Sequence, residues 1–98
     1  MSNVLGRISS VRIGNCGYQD IGFGVEFRFS LGSSTVCDTW VAWYPASHSM
    51  KGEVFEKLRL IMKDARVTDI RQLVGTPVEV QLSESNALIT WRILTEVL

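Results

Sequence analysis

Cysteine, histidine, proline and net charge are what this 98-residue chain has least of: two, one, two and zero. Cys16 and Cys37 are too few for the disulfide framework of a small secreted scaffold, and in a reducing compartment they read as free thiols. The single histidine, His48, leaves little for general acid–base chemistry near neutral pH. Ten Lys and Arg balance ten Asp and Glu, which argues against the clustered positive charge that non-specific binding of duplex nucleic acid needs. No apolar run approaches a membrane span, and the opening M-S-N-V-L-G-R lacks the charged-then-apolar pattern of a secretion signal. A cytosolic setting is therefore expected.

Catalytic motifs are missing too. Cys16, Cys37, His48, Asp20 and Asp38 show none of the short C-x-x-C or H-x-x-x-H spacings of a metal site, so neither metal nor cofactor is expected. A Cys37–His48 couple has no third, orienting group in the sequence. Gly14, Gly17, Gly22 and Gly24 are followed by no Lys-Ser/Thr pair and no helix start, so they serve turn geometry and close strand approach rather than phosphate binding. The chain reads as non-enzymatic.

What is present is patterning. From Ile21 to Leu31, the apolar residues Ile21, Phe23, Val25, Phe27, Phe29 and Leu31 occupy every second position, the mark of a strand with one buried face. Before it, Val4 to Ile13 reads as a strand of broken alternation, with Leu5, Val11 and Ile13 on one face and Val4 and Ile8 on the other. Gly14 to Gly17 reads as the turn between them, and Tyr18-Gln19-Asp20 as the lead-in to the second strand. After a turn at Gly32-Ser33-Ser34, a third strand runs from Thr35 to Tyr44. It places Val36, Trp40, Ala42 and Tyr44 on one face and Cys37, Val41 and Trp43 on the other. Met50 to Arg66 repeats Val54, Phe55, Leu58, Ile61, Met62 and Ala65 at helical spacing, with Ser49 as its N-cap and Leu60 pointing away. Thr68 is expected to cap a short turn to Leu73. Val78, Val80 and Leu82 mark a fourth strand, and Ala87 to Leu98 a fifth, with Ile89, Trp91 and Ile93 on its inner face.

One domain, residues 1–98, follows from the length. Its class is α+β: five antiparallel strands and one main helix in the order β-β-β-α-β-β. That order suits either an open five-stranded sheet or a barrel like the oligonucleotide/oligosaccharide-binding (OB) fold, in which a helix joins the third and fourth strands.

Two polar or aromatic groups are candidate binding residues. Tyr18, Gln19 and Asp20 form a polar cluster on a loop held by strands, where contacts are commonly made, although such residues also bond their own turn backbone. Trp40, Trp43, Tyr44 and His48 form the densest aromatic group. Stacking on a base and core-plus-subunit contact are the two readings, and the absence of adjacent basic residues favours the second.

Residues 14–27, G-N-C-G-Y-Q-D-I-G-F-G-V-E-F, and within 73–98 the stretches L-V-G-T-P-V-E-V-Q-L and W-R-I-L-T-E-V-L resemble a group of small proteins encoded by tailed phages and prophages. The chain departs from that group before the helix, where a Gly- and Trp-rich segment is shortened to Cys37-Asp38-Thr39-Trp40. The resemblance implies a viral accessory protein of the host-cell cytoplasm that acts by binding. Inhibition of a host defence system, through a host macromolecule or a small nucleotide ligand, is its most concrete form, with a homodimer as the expected assembly. The alternative is a single-stranded nucleic-acid binder of phage recombination or replication, which requires a closed barrel with Arg7, Arg12, Arg28 or Arg92 lining the aromatic face.

Overall fold

The structure is a computed structural model that describes residues 2–45, 49–50 and 52–98. Among the described residues six strands are formed: β1 (Ser2–Cys16), β2 (Gly22–Ser30), β3 (Thr35–Tyr44), the two-residue β4 (Ser49–Met50), β5 (Pro77–Leu82) and β6 (Leu88–Ile93). One helix, α1 (Gly52–Ala65), stands between β4 and β5. The sheet order is β4-β3-β2-β1-β5-β6, and every pairing is antiparallel. Without the short β4, the five long strands follow an OB-like order, curled into a half-barrel that stays open between β3 and β6.

The curl originates in β1. Its first part, Ser2 to Arg7, pairs with β5, whereas Arg7 to Cys16 pairs with β2. Ile8 sits opposite Phe29 and Ser10 opposite Arg28, so Ser9 is an unpaired extra residue. This bulge explains the broken alternation of the sequence: it swaps faces in mid-strand, placing Val4, Ile8 and Val11 all on the core side. The core lies in the concavity, where Ile8, Val25, Phe27, Phe29, Val78, Val80 and Ile93 meet Val54, Leu58 and Ala65 of the helix.

α1 presents Val54, Leu58, Ile61, Met62 and Ala65 inward, while Phe55 is 45% exposed and so leaves the face that its spacing assigned to it. The helix begins at Gly52 rather than Met50, and Ser49 belongs to β4. Its end is a Schellman arrangement, with the Val67 N–H donating to the Met62 carbonyl (3.0 Å) and the Arg66 N–H to the Lys63 carbonyl (3.1 Å). Arg66 adopts the left-handed conformation (φ 60°) that this motif requires. The following short turn, Ile70–Leu73, is capped by Asp69 and not Thr68. Asp69 Oδ1 accepts from the Arg71 N–H at 2.8 Å. Hydrogen bonds from the Arg71 side chain, then its backbone, hold the Asp69 carboxyl at about 2.

Two further boundaries move. β1 continues through Gly14 and Asn15 to Cys16, so the chain reverses at Tyr18–Asp20 itself. Ile21 and Phe23, expected in the core, are 53% and 43% exposed, because the β1–β2–β3 arm runs on past the helix that covers the rest of the concave face. The last strand stops at Ile93, and Thr95–Val97 forms a 3₁₀ turn. In β6 the pairs Gln81–Thr90 and Leu82–Leu88 leave Ile89 as a second extra residue, 48% exposed, while Leu88 takes the inner place.

The third bulge lies in β3. Phe23 pairs with Trp43 and Gly24 with Val41, which leaves Ala42 without a partner and only 2% exposed. A Cβ on Gly24 would collide with the Trp40 carbonyl oxygen and reach the Val41 Cα at 2.9 Å, so the bulge needs glycine there. A Cβ on Gly14, by contrast, meets only the tip of the Arg12 side chain, at 3.1 Å. Gly24→Ala is expected to cost about 1–3 kcal/mol in urea unfolding. Gly14→Ala should stay within about 0.5 kcal/mol of the parent.

Candidate functional site: the seam between β3 and β6

β3 turns Val36, Asp38 and Trp40 toward the core, as their partners Phe29, Phe27 and Val25 require. A carboxylate on such a face must find donors. Asp38 finds two: its Oδ2 accepts from Trp40 Nε1 at 3.0 Å and from Trp91 Nε1, on β6, at 2.7 Å. The two indoles lie 6.0 Å apart and nearly parallel, at 17°. Phe27 meets Trp40 edge-on at 4.7 Å, and Phe29 meets Trp91 at 4.7 Å. Such ring pairs contribute about 0.5–1.5 kcal/mol each beyond area burial. The Lys57 ammonium lies 4.3 Å from the Trp40 ring centroid, a cation–π contact. A cleft of about 480 Å³ opens over this group, walled by Leu60 and Ile61 of α1 and by Ile89 and Thr90 of β6.

The described sequence candidates are distributed over four places. Trp40 belongs to the seam. Trp43, half-buried opposite Phe23, lies on the concave side of the arm, and Tyr18, Gln19 and Asp20 form the arm's exposed tip. The Ala42 bulge puts Trp43 on the same side as Trp40, and puts Tyr44 with Val41 on the convex side, the reverse of regular alternation. There Tyr44 packs over Gly17 and Gly22, where added Cβ atoms would lie 2.7 Å from its Oη and 3.0 Å from its Cε1. His48 falls outside the described residues.

At the tip, Gln19 and Asp20 both have positive φ (53° and 55°), and the Ile21 N–H donates to the Tyr18 carbonyl at 3.2 Å. These are the signs of a type I′ turn, built without the Asn-Gly that such turns prefer. Gln19 Nε2 reaches Tyr18 Oη at 3.5 Å, so the polar cluster partly bonds to itself.

The arginines of the nucleic-acid alternative face away from the aromatic group. Arg12 and Arg28 approach Glu26 at 3.4 and 4.0 Å. Arg92 bonds Glu79 and Glu96, both at 3.1 Å, and Arg7 donates to the Gly75 carbonyl at 2.8 Å. Cys37 is exposed beside Arg28, while Cys16 is buried, and that burial pushes its thiol pKa up. Among the described residues no three His, Cys, Asp or Glu gather as metal ligands, and no helix is long and apolar enough to cross a membrane.

Lys57 and Trp91 are functional candidates that sequence reasoning passed over, and Asp38 is one that it weighed only as a metal ligand. The signal for Asp38 was its position between Val36 and Trp40 on an otherwise apolar face. The hydrogen bonds at the seam have a spectroscopic consequence: the indole N–H protons of Trp40 and Trp91 should exchange with solvent more slowly than that of Trp43, measurable by NMR in D₂O.

The chain matches no protein-family model, no curated protein and no solved structure.

Proposed function

We propose that this protein is a non-enzymatic binding protein that engages a host macromolecule through the end of its β1–β2–β3 arm. One observation carries the reading: apolar side chains that the core does not use collect there. On the concave side are Ile13 (48% exposed), Phe23 (43% exposed) and half-buried Trp43, and at the tip Tyr18 (73%) and Ile21 (53%). Ile13 pairs with Val25, one step along from the Asn15–Phe23–Trp43 row, so the patch is continuous. Continuous exposed apolar surface of this kind marks interaction sites, and Tyr and Trp dominate the energetics of such contacts. The resemblance of residues 14–27 and 73–98 to phage accessory proteins supplies the setting, a viral product acting in the host cytoplasm, with a host defence component as the partner class. A second copy of the chain is the other occupant that this surface suits.

The test uses the full chain and a Tyr18→Ala/Ile21→Ser variant, which exposed positions should tolerate within about 0.5 kcal/mol. A stoichiometric partner retained from bacterial lysate by the parent and lost by the equally stable variant supports the reading. Equal retention by both proteins overturns it. Light scattering on the same pair distinguishes self-association.

A further inference from the structure

The seam cleft has a chemistry of its own, separate from the arm. Asp38 Oδ2 is taken by the two indole N–H groups. Among the described residues nothing donates to Oδ1, and no buried side-chain oxygen or nitrogen lacks a partner, so Oδ1 is open to solvent at the cleft. Lys57 holds an ammonium with three donors at the same cleft, over Trp40. Leu60, Ile61 and Ile89 supply the apolar part of the cleft's walls, and Thr90 adds a hydroxyl. Leu60 and Ile89 are 44% and 48% exposed at the cleft.

A purely anionic ligand would meet the Asp38 charge, and a purely cationic one would meet Lys57. The pair of charges fits a molecule with N–H donors at one end, an anion at the other and a planar face to lie on the indoles and Ile89. At about 480 Å³ the cleft has the size of a small-molecule site. We propose that the seam binds a purine mononucleotide. The base donates its N–H groups to Asp38 Oδ1 and lies against the indoles and Ile89, while the phosphate is held by the Lys57 ammonium. Guanine, with adjacent ring and exocyclic N–H donors on one edge, matches a lone carboxylate oxygen better than adenine does.

Calorimetric titration of the full chain with GMP, guanosine and inorganic phosphate tests this, with the indole N–H resonances recorded in parallel. The expected result is saturable GMP binding that shifts the Trp40 and Trp91 resonances and leaves Trp43 in place. Guanosine should bind about tenfold more weakly, the scale of one charge-assisted hydrogen bond. Lys57→Ala, confirmed folded by circular dichroism, should reduce GMP to the guanosine level. The proposal is overturned by absence of saturable GMP binding at millimolar concentration. It is equally overturned by phosphate alone producing the same shifts, or by a Lys57→Ala variant that binds GMP unchanged. None of these outcomes depends on whether the arm binds a host protein.

Discussion

One carboxylate oxygen bridges β3 and β6, the outermost of the five long strands. β3 and β6 share no ladder; Asp38 Oδ2 accepts from Trp40 on its own strand and from Trp91 across the gap, where the two indoles also stack. A carboxylate on an inward face carries a desolvation cost, offset here by two indole N–H donors at 3.0 and 2.7 Å. The same bonds fix the planes of two large rings. Those rings pack against Phe27 and Phe29, and Lys57 of the helix lies over one of them. A backbone ladder would have closed the barrel. A side-chain bridge closes it at one point and leaves a cleft beside it.

Three single-residue bulges shape the rest. Ser9 lets β1 serve two differently directed halves of the sheet, Ile89 turns an apolar side chain out to the rim of the cleft, and Ala42 exchanges the faces of Trp43 and Tyr44. Gly24 is the backbone condition for the last of these, since only a missing Cβ lets the β3 main chain approach so closely. Together they divide the aromatic residues between two regions, the seam and the arm.

The five long strands, the helix and the single main core were legible because alternation and helical spacing report which face of an element is apolar. They do not report what covers that face. Ile21 and Phe23 continue the period of Phe27 and Phe29 without a break, yet α1 does not extend over them. Bulges were illegible for a related reason: one extra residue in a strand looks like imperfect patterning, as in Val4 to Ile13, and its position depends on the partner's register. The seam was hidden by distance, with Asp38 and Trp91 53 positions apart. Only the inward place of Asp38 hinted that a donor must come from elsewhere.

The measurement that tests this account most directly is a double-mutant cycle between Asp38→Ala and Trp91→Phe, read by urea unfolding. Phenylalanine keeps an aromatic ring and deletes the N–H, so the cycle isolates the bond across the seam. The account predicts a coupling of at least about 1 kcal/mol, as for residues in one hydrogen-bonded network. Additive effects, within about 0.3–0.5 kcal/mol, would show that the two ends of the sheet are held by packing alone and that Asp38 is not the bridge.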